Sequence, residues 1–314
     1  MTVRKKLGEE HIDEKRPSTL VLGIGGAGRN IVEEIRDMES STVNIYEVGT
    51  SSRPPKLPFL SISKEDMKKA YNSKINLKER PLTISEEKLK RKIKDFKIVY
   101  LIAGLGGRTG SWTVPVCAQL SKRYCSFTMG LLAKPFESES ENRKKLSEES
   151  QSEARKYLDG YVVFPNSKLL EINPNLPISK AFSVMNRIIR LPIVDINSVI
   201  TKSDISDMKQ FCKKTGEFRI GAGYGRGMKK GVKAAKEALR SPWLEDLANF
   251  DKVLTVVTTN SKKEIMDVED ALEEIKRSSP DADIIWGARR DSKMDERIRV
   301  TILAGMKNKM ETRG

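Results

Sequence analysis

The chain has 314 residues, enough for one large or two medium domains, with 38% hydrophobic and 32% charged residues. A net charge of +15, from 58 Lys+Arg against 43 Asp+Glu, leaves an anionic membrane or a nucleic acid open as a partner. A single histidine, His11, and three scattered cysteines, Cys117, Cys125 and Cys212, argue against a histidine metal site or triad, a disulfide framework and a zinc site.

Residues 1–16 are charged and aperiodic and read as a disordered arm without a signal-peptide core. No apolar run approaches the roughly 20 residues of a membrane span, so a cytoplasmic protein is expected. Leu20-Val21-Leu22 starts a buried strand that ends in GIGGAG, Gly23 to Gly28, and a helix is expected from about Arg29 to Met38. Val43–Val48 reads as a second strand. Residues 49–87 are Pro-rich, then carry a short KEDMKKAY helix, then become irregular. Glu86–Lys94 reads as a helix whose Lys88–Lys94 face is basic, with no interleaved aromatics to stack bases.

The apolar run Ile98–Ile102 leads into AGLGGRTGSW at 103–112, a strand, a glycine turn and a helix start. Such a turn aims backbone N–H groups at an anion, and the helix adds its partial positive end. A helix over Val114–Arg123, a strand at Phe127–Leu132, a polar helix at 141–158 and a strand at Tyr161–Phe164 follow. This βα alternation predicts a parallel, doubly wound sheet. Phe182, Met185, Ile189, Ile193, Ile196 and Ile200 form one helical stripe over 178–200, with a kink or break expected at Pro192. Strands at Phe218–Ala222, Val253–Thr258, Asp283–Gly287 and Arg297–Leu303, with helices at Lys229–Leu239 and Lys263–Arg277, make a second α/β unit.

GIGGAG also satisfies G-x-G-x-x-G, with Glu47 placed to receive a ribose, so a dinucleotide-binding oxidoreductase is one reading. The second glycine loop at 104–110 disfavours it, because a dinucleotide fold needs one fingerprint loop, and no hydride-transfer residues are evident.

The G-G-x-T-G-S loop closely resembles the phosphate loop of the tubulin/FtsZ superfamily. VLGIGGAGRNIVEEI, AKPFESESENR, FPNSKLLEI, AFSVMNR and RVTILAG resemble further segments of FtsZ, in the family's order across about residues 18–305. The resemblance implies a Rossmann-like nucleotide-binding domain over 17–177, a central helix over 178–201, a smaller α/β C-terminal domain over 202–305 and a short tail over 306–314. It implies GTP or GDP as ligand, with Mg2+ as an optional companion and no protein metal site. Gly25, Gly26 and Asn30 would line the base and phosphate side, and Gly106, Gly107, Thr109 and Gly110 would cradle the phosphates. Glu139 and Arg143 match ribose positions and Asn166 a position near the base; Phe182 would stack on the base or lie in the core. The resemblance also implies head-to-tail filaments, a role in cell division or cell shape, and hydrolysis completed by the next subunit, where Asp204 and Asp207 match the catalytic carboxylates. As residues alone, both Asp could instead cap the next helix.

Several positions depart from the family pattern. Arg187 stands where an Asp reads guanine, and a guanidinium offers donors only, so Asn186 would have to accept the guanine protons. Ser51 replaces another Asp. No glycine occurs between Gly49 and Gly104, where the family has a γ-phosphate loop; Lys74 and Lys78 are candidates to substitute charge. Arg108 and Trp112 replace glycines; Arg108 would add charge near the phosphates and Trp112 would pack. The tail MKNKMETRG lacks the family's linker and docking peptide, which argues against the usual adaptors. A weak GTPase is therefore expected, with a pseudo-GTPase scaffold or regulator as the alternative.

Overall fold

The computed structural model describes residues 3–6, 16–36, 42–50, 54–73, 81–169, 177–213, 216–244, 250–260 and 265–306. The chain divides into an N-terminal unit, Pro17–Arg190, and a C-terminal unit, Leu191–Gly314 together with Met1–Arg16.

In the N-terminal unit the order is β2 (Thr19–Ile24), α1 (Gly25–Glu33), β3 (Val43–Gly49), β4 (Phe59–Ser61), α2 (Lys64–Asn72) and α3 (Ile84–Ile93). It continues with β5 (Ile98–Gly104), α4 (Arg108–Tyr124), β6 (Phe127–Lys134), α5 (Glu141–Ala154), β7 (Gly160–Pro165) and α6 (Ile178–Ile189). The strands lie in the order β7-β6-β5-β2-β3-β4, and every pairing is parallel. β2 is buried along its whole length, which is why it reads as a continuous apolar run. From β2 the chain winds outward through β3 and β4, then returns to β5 on the other side of β2. That reversal opens a crevice beyond the carboxyl ends of β2 and β5.

Two local differences bear on the site. α1 starts at Gly25 and α4 at Arg108, earlier than the apolar periodicity suggests, because the glycines of GGAG form the first turn of α1 and the residues R-T-G-S the first turn of α4. α4 also runs through Pro115. Proline cannot donate to the carbonyl four residues back, and that carbonyl, Ser111 O, accepts instead from Ser150 Oγ of α5 at 2.7 Å.

Glu47, read above as a ribose ligand, is fully buried. Its Oε2 accepts from Arg29 Nε at 2.5 Å and its Oε1 from Lys56 N at 3.0 Å. Arg29 also stacks on the Phe59 ring, 5.0 Å from its centroid. Glu47 is thus a framework residue joining α1 to β3, which removes the dinucleotide reading's ribose contact.

The C-terminal unit holds β1 (Val3–Lys6), α7 (Leu191–Val199), α8 (Asp204–Lys213), β8 (Glu217–Arg226) and α9 (Lys230–Leu239). β9 (Phe250–Thr259), α10 (Ile265–Ser278), β10 (Asp283–Arg290) and β11 (Arg297–Met306) complete it. β1 pairs parallel with β10, and β10 with β9, whereas β11 runs antiparallel to both β9 and β8. Residues 3–6, expected in a disordered arm, therefore form a strand: alternation in four residues is too short a signal to read, and the partner strand lies 280 residues away. The stripe over 178–200 is two helices rather than one, broken at Arg190, with Pro192 in the first turn of α7 where its missing N–H costs nothing. α9 packs directly on β8, since a Cβ at Gly221, Gly223 or Gly225 would lie 1.8–2.3 Å from a helix backbone atom.

α7 is tied to this sheet by a buried ionic cluster. Asp195 is 0% exposed; Arg299 Nη2 donates to its Oδ1 at 2.5 Å and Thr301 Oγ1 to its Oδ2 at 2.6 Å. Arg289 Nη1 reaches Oδ1 at 3.3 Å. Burial works against the Arg299 charge, but Asp195 and Tyr224 hold the guanidinium above its ordinary range. No helix among the described residues is long and apolar enough to cross a membrane.

Asp195→Ala would strand the Arg299 charge in the interior, so urea unfolding should show a loss of about 3–5 kcal/mol. A loss below about 1 kcal/mol, the range of an exposed ion pair, would contradict a dry cluster.

Candidate functional site

The carboxyl ends of β2 and β5 lie side by side, with Ile24 against Ala103; β2 passes directly into α1, and β5 into α4 through a short turn. Gly25 has φ +71° and Gly106 φ +90°, both in the region that L side chains rarely adopt. A Cβ on Gly25 would sit 3.2 Å from Gly110 N, and one on Gly104 would sit 2.7 Å from Ala27 Cβ. The two turns are therefore packed on each other. Gly26 and Gly107 differ: a Cβ there would meet nothing within 4 Å, so their backbones face open space.

The helices that leave these turns lack what α2 and α3 have. α2 starts with Ser63 accepting from Asp66 N, with Glu65 and Asp66 in its first turn. α3 starts with a full capping box between Thr83 and Glu86. α1, behind Ile24, and α4, behind Gly107, have no side-chain cap and no acidic residue in the first turn. Their first N–H groups and the positive ends of their dipoles are directed at the crevice without a capping side chain or a first-turn carboxylate.

The crevice is a cavity of about 710 Å3, within the range for nucleotide-sized ligands. Gly25, Gly26, Gly107, Arg108, Thr109 and Gly110 form its floor. Glu139, Arg143, Asn166, Phe182 and Asn186 lie on its walls. Eleven of the thirteen residues expected to bind nucleotide thus meet at one cavity. Gly106 is buried beneath the turn, where its φ and its N–H bond to Ser111 Oγ at 2.8 Å shape the loop. Asn30 is exposed and is not on the wall.

The walls have specific chemistry. Glu139 accepts from Phe136 N at 2.9 Å and pairs with Arg143 at 2.6 Å, fixing the segment that follows β6. Phe136 meets Phe182 edge to face, 5.9 Å between centroids. Phe182 is 43% exposed on the cavity wall, so it is an available ring rather than core. Asn166 Oδ1 is buried there without a hydrogen-bond partner, an acceptor waiting for a donor. Asn186 Nδ2 donates to Glu34 Oε1 at 2.8 Å. Arg187 is exposed and off the wall.

Lys64, Lys134, Phe136, Met185 and Ile189 also line the cavity and were not read as site residues. Met185 and Ile189 share the Phe182 stripe and Phe136 the K-P-F segment, so a signal existed for these. Lys64 opens α2 just after its Ser63 cap; the S-K-E-D pattern marks that helix start but not its proximity to the glycine turns. Ser51, Lys74 and Lys78 lie outside the described residues. Trp112 is half-buried and packs on the N-terminal core.

In the C-terminal unit, Asp204 and Asp207 open α8. Asp204 is 2% exposed, and its Oδ2 accepts from Thr201 N at 2.9 Å and Thr201 Oγ1 at 2.7 Å, as a helix-start carboxylate does. Asp207 is half-buried. Burial pushes the Cys117 thiol up, and the Cys125 thiol up to about 12, so neither is a ready nucleophile. Among the described residues no cluster of three metal-ligating groups occurs.

Residues 58–174 match the GTPase domain of the Tubulin/FtsZ family, and residues 216–307 match the C-terminal domain of the FtsZ family. Cell division protein FtsZ of Methanothermobacter thermautotrophicus is 29% identical over 315 residues, covering 95% of this chain and 82% of the relative. Cell division protein FtsZ 1 of Archaeoglobus fulgidus is 32% identical over 226 residues, covering 70% of this chain and 61% of the relative. Among solved structures, an empty FtsZ dimer from M. jannaschii superposes with TM-score 0.79 at 27% identity, over 93% of this chain and 88% of that one. CetZ from Methanosaeta thermophila shares the fold, with TM-score 0.69 at 16% identity over 93% and 87% of the two chains.

Ser150→Ala should leave Ser111 O buried and unpaired, costing about 1–3 kcal/mol in chemical unfolding. Ser150→Thr, which keeps the hydroxyl, should recover part of that loss; equal losses in both variants would show that the bond to Ser111 is not what matters.

Proposed function

The chain belongs to the tubulin/FtsZ superfamily as a divergent FtsZ-like member, and on that premise we propose that it binds GTP in the N-terminal cavity and assembles head to tail into filaments. The observation that carries the binding proposal is the pair of uncapped, acid-free helix N-termini meeting at two packed glycine turns. That arrangement is a receptor for phosphate oxygens. The open faces of Gly26 and Gly107 leave room for the phosphates to approach the backbone. Thr109 adds a hydroxyl, the Glu139–Arg143 pair meets the ribose, and Phe182 and the orphan Asn166 Oδ1 meet the base.

The glycine-free stretch between Gly49 and Gly104 removes backbone as a means of holding the terminal phosphate. Arg108 and Lys64, both exposed on the cavity lining, supply side-chain charge in its place. Mg2+ would ride on the phosphates of the nucleotide, neutralising charge there.

Self-association is a heterologous contact that propagates rather than closes. Exposed Met228, Ile265 and Met266 belong to the starts of α9 and α10, which touch where a Cβ on Gly231 would run into Asp267 O. Such an apolar patch suits contact with a second copy. Slow hydrolysis would follow when the start of α8 in the next copy orients water at the γ-phosphate. Asp204 and Asp207 are the carboxylates there, and Asp204 is also bound to Thr201. That bond favours the second reading, a nucleotide-dependent scaffold with little turnover. The cellular role in either case is in cell division or cell shape, in the cytoplasm; an anionic membrane or a nucleic acid is the partner that the +15 charge would suit.

Nucleotide analysis of the purified protein, followed by phosphate release and light scattering with GTP, tests this reading. Bound guanine nucleotide, scattering that rises with GTP and turnover that rises with protein concentration are expected. Asp207→Asn should abolish turnover and keep binding. A protein that carries no nucleotide and does not respond to GTP would defeat the proposal. Removing both Lys64 and Arg108 as Ala should weaken GTP more than GDP by about tenfold or more, read by equilibrium titration.

A further inference from the structure

Glu34 is the residue just past the end of α1, and its carboxylate Oε1 accepts from Asn186 Nδ2 on α6 at 2.8 Å. A carboxylate has acceptors only, so it fixes which way round the Asn186 amide is held: nitrogen toward Glu34, oxygen away from it. Asn186 lies on the cavity wall, so Oδ1 is the amide atom left for a ligand. We propose that Glu34 is a positioning residue that holds Asn186 as a hydrogen-bond acceptor, and so selects a base carrying N–H donors on its pairing edge.

This rests on the nucleotide reading above and deepens it to the choice of base. Guanine presents an N1–H and a 2-amino group on that edge. Adenine presents a bare ring nitrogen at position 1, which would face Oδ1 lone pair to lone pair, and its one donor on that edge, the 6-amino group, stands where guanine has the O6 acceptor. Arg187 cannot make the choice: it has no acceptor, is exposed and does not line the cavity. A neutral amide held by one distant carboxylate replaces a direct charged acceptor. Discrimination should therefore be real but modest, since it depends on one oriented dipole rather than a bidentate pair.

The test is equilibrium titration of the full chain with GDP and with ADP, comparing the parent protein, Glu34→Lys and Glu34→Gln, with thermal midpoints measured in parallel. An ammonium only donates, so Glu34→Lys should turn the amide round and present its nitrogen to the base. The added positive charge strengthens phosphate binding of both nucleotides alike, so the ratio of their affinities is the readout. The parent should prefer GDP. Glu34→Lys should reduce that preference by about tenfold, one hydrogen bond lost and one donor left facing donors. Glu34→Gln, whose carbonyl still accepts from Asn186, should retain most of it. An unchanged ratio in Glu34→Lys would overturn the proposal while leaving nucleotide binding intact. Equal loss in both variants would also overturn it, by pointing to charge rather than amide polarity. A parent protein that binds neither nucleotide would remove the nucleotide reading itself, and this one with it.

Discussion

The contact between two glycine turns is the constraint on which the N-terminal unit depends. β2 and β5 are neighbours, so the helices that follow them start side by side, and the absence of side chains at Gly25, beside Gly110 N, and at Gly104, beside Ala27, lets the turns meet. Three consequences follow from this one approach. The first turns of α1 and α4 point the same way, their positive ends add, and neither start carries a side-chain cap. What stabilises the starts of α2 and α3, a Ser or Thr cap with acidic neighbours, is missing where an anion can take its place.

The surrounding framework holds that geometry with buried polar contacts rather than with apolar packing alone. Arg29 and Glu47 tie α1 to β3 across an interior where an unpaired charge would be costly. Ser111 supports both sides of the second turn, accepting Gly106 N–H on its hydroxyl and Ser150 Oγ on its carbonyl. The second contact exists because Pro115 leaves that carbonyl without its helical donor. The polar helix α5 thereby gains a definite attachment that its weakly patterned sequence would not suggest.

Much of the fold was legible because its signals are local. Continuous apolar strands separated by helical periodicity gave the βα order, and glycines after strands marked the turns. The site was readable to the extent that its residues sit within those turns or follow them closely, as Gly25, Gly26, Thr109 and Gly110 do. What could not be read depends on contacts distant in sequence. Strand β1 needs β10, some 280 residues on. Asp195 meets Arg299 and Thr301 about a hundred residues away, and no pattern in LPIVDINSV distinguishes a buried anchor from a solvent-facing Asp. Lys64 enters the cavity through the placement of α2. Glu47 was misread because its position at a strand end fits a ribose contact as well as a buried ion pair; only the neighbouring Arg29 decides.

The departures of this chain share one physical theme: backbone and carboxylate groups are replaced by side-chain cations and amides. In the proposed site, charge from Lys64 and Arg108 would stand in for a glycine loop, and an oriented Asn186 for an Asp. Yet the paired helix ends are retained, so the phosphates should supply most of the binding free energy. Equilibrium titration of the parent protein with GDP and with guanosine measures that directly. Two unopposed helix ends require GDP to bind at least about a hundredfold more tightly, the worth of two or so charge-assisted hydrogen bonds. Guanosine binding as tightly as GDP would mean that the glycine turns are packing devices and not a phosphate site.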